Sequence, residues 1–194
     1  MSPACSREPI GVPRLRLVIL DRDGVINRDS DAFIKSPREW VPLPGSIDAI
    51  ARLHRADWRV VVATNQSGLA RKLFDRATLD HIHARMHQQV RSAGGRISGI
   101  YLCPHGPDDD CTCRKPRSGL FRRIARDMAT SLDGVWAIGD ARRDLQAAAT
   151  AGAQPVLVRT GKGKRTLCEI EALRGVLVFE DLRAVATGLL ESHR

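Results

Sequence analysis

A chain of 194 residues, 43% hydrophobic and 27% charged, is long enough to bury a proper core and polar enough to be globular. Its formal charge of +9 favours anionic partners, either a phosphorylated small molecule or a nucleic acid, but an aromatic content of 4% is poor material for base-stacking platforms. No apolar run suits a membrane span, residues 1–14 lack the apolar centre of a signal peptide, and five cysteines, three of them within eleven positions, suit a metal site better than a disulfide framework.

Residues 1–14, with Pro3, Pro9, Gly11 and Pro13, read as a flexible leader, and 15–194 as a single domain. The expected protein is cytoplasmic and monomeric, with no membrane or nucleic-acid partner. The first element is Leu17-Val18-Ile19-Leu20, four consecutive apolar residues that suit a parallel strand covered on both faces. It runs into Asp21, Asp23 and Gly24. Two carboxylates at the carboxyl end of a buried strand sit where open α/β sheets bind ligands. They repel each other, so a hard cation such as Mg2+ is their natural third party. Gly24 permits the bend that would let both face it.

Arg28 to Pro44 is polar and proline-rich, a loop near the site mouth. Its Asp29-Ser30-Asp31 suits either substrate hydroxyls or a solvated turn. Ser46 is expected to cap a helix that turns Ile47, Ile50, Ala51 and Leu53 inward. Arg59 to Ala63 is a second buried strand, ending in Thr64-Asn65-Gln66-Ser67-Gly68, where a hydroxyl and backbone N–H groups could hold phosphate oxygens. Asp75 is expected to cap a helix reaching Ser92, with Leu79, Ile82, Met86 and Val90 as its buried stripe. His83 and His87 are four apart, but without a third ligand nearby they read as exposed helix positions rather than a zinc pair. Gly94-Gly95 ends the helix, and Ile97 to Leu102 is a third strand.

Next come Cys103-x-His105, a five-residue gap and Cys111-x-Cys113, four soft or borderline ligands in one loop. That suits a closed tetrahedral zinc site with a structural task, with free or redox thiols as the alternative. Cys5 and Cys168 receive no role. Arg114-Lys115-Pro116 comes directly after, a fork and a point charge suited to phosphate. Leu120 and Ile124 mark an amphipathic helix. Gly134 to Asp140 is a fourth strand ending in an acid, with Asp144 at the start of the next helix as a supporting group. Gln154 to Val158 is a fifth strand. Gly161-Lys162-Gly163-Lys164 lacks the spacing of a phosphate-binding P-loop and reads as a surface loop. Val176 to Phe179 is an edge strand, and Asp181 caps a last helix.

Strands alternate with helices throughout, so the fold class is α/β, a three-layer Rossmann-like arrangement around a central parallel sheet. Asp21-Arg22-Asp23-Gly24, Thr64-Asn65, Lys115-Pro116 and Gly139-Asp140-x-x-x-Asp144 resemble the four motifs of the haloacid dehalogenase (HAD) superfamily of phosphatases. With the cysteine loop added, residues 17 to 161 resemble the D-glycero-D-manno-heptose 1,7-bisphosphate 7-phosphatases and their histidinol-phosphatase relatives. The resemblance implies a HAD fold with no large cap domain and a zinc loop over 103–113. It implies Asp21 as nucleophile and Asp23 as general acid and base. It implies Mg2+ held by Asp21, Asp23 (through its carbonyl) and Asp140. Thr64 and Lys115 would bind the transferred phosphoryl group, and Asp29, Asn65, Gln66, Ser67 and Arg114 the rest of the substrate. Cys103, His105, Cys111 and Cys113 would hold a structural Zn2+. The implied activity is Mg2+-dependent hydrolysis of the 7-phosphate of the heptose bisphosphate through an aspartyl-phosphate, in lipopolysaccharide precursor synthesis. The same chemistry on histidinol phosphate is the nearest alternative, and a nucleic-acid 3′-phosphatase the next. Ser30-Asp31-Ala32 and the short zinc loop depart from the usual pattern, both at the substrate mouth, and Ala141 stands where related phosphatases often carry a basic or hydroxyl residue.

Overall fold

The computed structural model describes residues 15–169 and 175–192. The leader and Cys5 lie outside these residues. Six parallel strands form one sheet in the order β3-β2-β1-β4-β5-β6. They are β1 (Leu17–Leu20), β2 (Arg59–Asn65), β3 (Gly99–Cys103), β4 (Trp136–Gly139), β5 (Gln154–Val158) and β6 (Leu177–Phe179). The helices between and after them are α1 (Ser46–Arg55), α2 (Arg76–Ser92), α3 (Gly119–Asp127), α4 (Arg142–Thr150), α5 (Gly163–Glu169) and α6 (Leu182–Glu191).

Alternation along the strands divides the core into two. Val18, Leu20, Val60 and Val62 face Ile50 and Leu53 of α1, Ile82 and Met86 of α2, and Val185 and Leu189 of α6. Leu17, Ile19, Val61 and Ala63 face Leu120 and Ile124 of α3 and Ala147 and Ala148 of α4. With both faces covered, β1 has no polar side, which is why its four residues are all apolar and all buried. Each such side chain removed from water contributes about 1.5–3 kcal/mol, so the strands are fixed firmly enough to aim the residues at their carboxyl ends.

The chain leaves β1 toward β2 and β3 on one side and returns to β4 on the other, so the topological switch lies between β1 and β4. In an open parallel sheet the crevice outside the carboxyl ends at that switch is the ligand site. Asp21 comes directly after β1 and Asp140 directly after β4. The Asp21 N–H donates to the Ile138 carbonyl at 2.8 Å, which carries the β1–β4 register one residue past the strand.

Asp75 and Asp181 cap α2 and α6 as expected, accepting from Thr78 N and Ala184 N. Ser46 does not cap α1. It is the helix's first residue, after Gly45. Its hydroxyl instead donates to the Ile26 carbonyl at 2.6 Å and reaches the Leu43 carbonyl at 2.9 Å, tying the mouth segment to the helix. The Gly161–Lys164 stretch is only in part a surface loop: Gly161 and Lys164 are exposed, but Gly163 opens α5 and the Lys162 backbone N–H bonds Asp140. None of the described helices is long and apolar enough to cross a membrane.

Candidate active site

Four strand ends supply the site. After β1, Asp21 is buried and its Oδ1 lies 2.9 Å from Lys115 Nζ. After β4, Asp140 is buried, and Asp144 in the first turn of α4 places its Oδ1 2.7 Å from the same ammonium. Lys115 Nζ donates a third bond to the Ala63 carbonyl at the end of β2, 2.8 Å away. Burial alone would lower this ammonium, but Asp144 and Asp21 outweigh it and hold it above its ordinary value. Asp144 Oδ2 accepts from Ala141 N at 3.0 Å, so the helix start is capped by the residue that anchors the lysine.

The backbone of Lys115 is clamped by Asn65. Its N–H donates to Asn65 Oδ1 at 3.1 Å, and its carbonyl accepts from Asn65 Nδ2 at 3.0 Å. Asn65 thus lines the cleft and also acts as a brace. Thr64 is buried, and its hydroxyl accepts from Gln66 Nε2 at 2.8 Å. Gln66 Nε2 reaches Asp23 Oδ2 at 3.2 Å as well.

Asp21, Asp140 and Asp144 bring one carboxylate oxygen each within 4.8 Å of one another. Burial, then Asp144 and Asp23, raises Asp21 to about 6 against the opposing pull of Lys115. Burial, then Asp144 and Asp21, raises Asp140 to about 8. Three acids converging this closely repel one another, which helps to raise Asp21 and Asp140, and their hard carboxylate oxygens fit Mg2+. Gly24, at φ +80, packs against this cluster, and a Cβ there would stand 2.0 Å from Asp140 Oδ2. The Asp23 carboxylate is not one of the three in this cluster. It is held by Arg22 Nε and Nη2 at 3.1 and 2.9 Å and by Asn27 Nδ2 at 2.8 Å.

The cleft above is lined by Asp21, Asp23, Asp29, Thr64, Asn65, Gln66, Ser67 and Arg114, so these expected residues do come together. It is also lined by Lys162, from the basic stretch expected to be a surface loop, and by Arg143, which the sequence alone does not single out. Burial alone would lower the Arg143 guanidinium; Asp144 and Asp21 hold it above its ordinary value. Its position one residue before Asp144 is the only signal that could have marked it. Lys162 forms ion pairs with Asp29 at 3.0 Å and Asp31 at 3.3 Å.

Cys103, His105, Cys111 and Cys113 form the second cluster. The Cys103 and Cys113 sulfurs are 3.1 Å apart, Cys111 Sγ is 3.6 Å from each, and His105 Nδ1 is 3.3 Å from Cys113 Sγ. Three sulfurs and one imidazole nitrogen gathered this closely are the donor set of a closed tetrahedral Zn2+ site. The loop is built onto the site. Cys103 ends β3 in register with Asn65, and its carbonyl accepts from Gln66 N at 2.8 Å. Arg114 Nη1 donates to the His105 carbonyl at 3.2 Å and Arg117 Nη1 to the Cys111 carbonyl at 2.6 Å, bracketing Lys115.

His83 is not an exposed helix position but a buried one. Arg22 Nη1 lies 3.4 Å from its Nε2, and a guanidinium can only donate, so that nitrogen is the acceptor. Burial, with Arg22 second, lowers the imidazole from 6.5 to about 4. The unfolded chain takes up this proton near pH 6.5 and the folded chain only near 4. His83 therefore removes up to about 3 kcal/mol of stability as pH falls through that window. His83→Gln keeps an acceptor without the titration. Its melting temperature is expected to fall less than that of the parent between pH 6.5 and 4; parallel profiles would rule His83 out as the cause.

A HAD-hydrolase-like family model matches residues 112–185. The chain is 59% identical over 177 residues to the D-glycero-beta-D-manno-heptose-1,7-bisphosphate 7-phosphatase of Bordetella bronchiseptica, covering 91% of this chain and 99% of that protein. It is 54% identical to the enzyme of the same name from Pseudomonas aeruginosa, covering 90% and 98%. Among solved structures, the D,D-heptose 1,7-bisphosphate phosphatase of B. bronchiseptica, complexed with magnesium and phosphate, superposes with a TM-score of 0.91 over 92% of this chain and 99% of that one, at 59% identity. The corresponding phosphatase of Burkholderia thailandensis gives 0.73 at 45% identity, over 90% and 98%. Identity of this extent, on a sheet whose strand ends bring an acidic triad around a buried lysine, decides the family: the chain belongs to the D-glycero-beta-D-manno-heptose-1,7-bisphosphate 7-phosphatases of the HAD-like hydrolases.

Proposed function

We propose that this chain hydrolyses the 7-phosphate of D-glycero-beta-D-manno-heptose 1,7-bisphosphate. The observation that carries the reading is the 59% identity running through 99% of the Bordetella enzyme, so the matched part spans nearly all of that enzyme. The beta anomer is taken from the relatives' shared name.

In this reading Asp21 is the nucleophile and is phosphorylated. Asp21 and Asp140, with the backbone of Asp23, hold Mg2+, which when bound screens the phosphate's charge so that a carboxylate can approach it. Lys115 neutralises a phosphate oxygen next to Asp21, and Thr64 donates its hydroxyl on the other side. Asp144 keeps Lys115 aimed there, and Asn65 fixes the lysine's backbone. Asp23 gives a proton to the leaving sugar oxygen, then takes one from the water that cleaves the aspartyl-phosphate. Arg22, Asn27 and Gln66 leave the Asp23 carboxylate few orientations, which suits a group that must act twice from one place. Most of the barrier is lowered by fixed charges around the phosphoryl oxygens, as phosphoryl transfer requires. Arg114 and Arg143 line the same cleft and would meet the second phosphate, and Asp29 is placed for sugar hydroxyls.

The test is phosphate release with Mg2+ from both anomers of heptose 1,7-bisphosphate, histidinol phosphate and a 3′-phosphorylated oligonucleotide. The beta anomer is expected to have the highest kcat/KM, by about tenfold or more, a difference of about 1.4 kcal/mol in transition-state binding. Preference for histidinol phosphate would keep the chemistry and overturn the substrate.

A further inference from the structure

The turn Thr160–Gly161–Lys162, between β5 and α5, contributes no group to the chemistry above, yet it meets the centre at three points. The Thr160 hydroxyl donates to the Gly24 carbonyl at 2.6 Å. The Lys162 backbone N–H donates to Asp140 Oδ2 at 2.8 Å. Gly161 has φ +54, and a Cβ on it would stand 2.2 Å from Asp140 Oδ2 and 2.6 Å from Gly24 Cα. The turn is therefore pressed against the carboxylate with no room for a side chain. One oxygen of Asp140 is tied to a backbone donor, and this commits the direction of the other.

The side chain of Lys162 runs to the mouth. Its ammonium bridges Asp29 Oδ2 and Asp31 Oδ1, at 3.0 and 3.3 Å. Two unscreened acids at the entrance would repel a bisphosphate, and one ammonium between them removes most of that repulsion. The ammonium also fixes the mouth segment relative to Asp140, because the same residue holds both.

We propose that Thr160–Gly161–Lys162 is a positioning device shared by two seats. Its backbone sets the carboxylate of Asp140, and its lysine holds Asp29 and Asp31 over the same centre for the sugar phosphate. The proposal rests on the reading that Asp140 helps to hold Mg2+.

The experiment is calorimetric titration of the full chain with Mg2+, alongside KM for the heptose bisphosphate, on the parent protein, Asp140→Asn, Gly161→Ala and Lys162→Met. Gly161→Ala is expected to weaken Mg2+ binding about 10- to 100-fold, the range for groups that orient metal ligands, with circular dichroism and zinc content unchanged. Lys162→Met keeps the backbone N–H. It is expected to bind Mg2+ as the parent does and to raise KM about tenfold. Parental Mg2+ affinity in Gly161→Ala, or parental KM in Lys162→Met, would overturn the proposal. If Gly161→Ala does not fold, Thr160→Val, which removes only the hydroxyl donor, decides the same point: weaker Mg2+ binding supports the proposal and unchanged binding overturns it. Parental Mg2+ affinity in Asp140→Asn would overturn the metal assignment itself, a failure distinct from that of the turn.

Discussion

Asp21→Asn is expected to reduce turnover by at least about 10⁴-fold while leaving a folded protein that still binds phosphate. The amide has the carboxylate's shape but cannot form the acyl phosphate. Lys115 loses one partner at 2.9 Å and keeps Asp144 at 2.7 Å and the Ala63 carbonyl at 2.8 Å, so the phosphate seat should survive. The sharper expectation concerns stability. Burial, with Asp144 and Asp23, raises the native Asp21 carboxyl from 3.8 to about 6. The folded chain therefore binds this proton more tightly than the unfolded chain. Keeping Asp21 ionised works against folding above about pH 6, and that cost fades as pH falls toward 3.8. Removing the charge should raise the melting temperature of metal-free protein at pH 7.5, with a smaller gain at pH 5. Mg2+, which binds the folded parent, should narrow the gap. Two measurements check this: single-turnover phosphate release, and thermal melts at both pH values with and without Mg2+. An Asn variant with parental turnover would end Asp21's role as nucleophile. A lower metal-free melting temperature at pH 7.5 would show that the carboxylate contributes more through Lys115 than its burial costs.

The residues legible in the sequence lie where a buried apolar run stops. A strand covered on both faces must be apolar throughout, so the first acid after Leu20 or Gly139 marks both the end of the strand and the sheet's ligand edge. Asp21, Asp140 and Thr64 were legible for that reason, and the fold class with them. Contacts made by backbone atoms were not. The bond from Lys162 to Asp140 uses an N–H that every residue but proline carries, so Gly161-Lys162 looked like an ordinary basic loop. Ser46 misled for a related reason. Its hydroxyl suits a cap, but the Ile26 carbonyl, twenty residues back in the chain, was the better partner, and only the tertiary fold brings it near. His83 was readable: it stands four after Leu79 and three before Met86, inside the buried stripe of α2. Treating it as half of a histidine pair hid that position.

Cys111→Ser is expected to lose the zinc and, with it, about 3 kcal/mol of stability, a fall of about 6–12 °C in melting temperature for a domain this size. Activity should fall further than the fold does. The loop has little core of its own: Pro107, Asp108, Asp109 and Asp110 are exposed, and its order depends on the four ligands. Burial raises the Cys103 and Cys113 thiols, which keep their protons in the metal-free cluster, while at Cys111 burial is outweighed by hydrogen bonds from the Arg114 backbone and the neighbouring thiols, which lower it. Zinc binding must expel those protons and is expected to weaken as pH falls. The consequence reaches the phosphate through two short links. Arg114 is held by the His105 carbonyl and Arg117 by the Cys111 carbonyl, and Lys115 stands between them. Asn65 clamps the Lys115 backbone from the other side. In Cys111→Ser, kcat/KM should drop at least about 100-fold although no altered atom touches the substrate. The loss should appear in kcat as well as KM, because in the proposed mechanism Lys115 acts on the transferring phosphoryl group rather than on a remote part of the sugar. Metal analysis, thermal melts and steady-state kinetics on the purified variant measure the three effects. A zinc-free variant with parental melting temperature and parental kcat/KM would show that β3, Asn65 and Asp144 position the lysine without the metal, and that the cluster serves some other end.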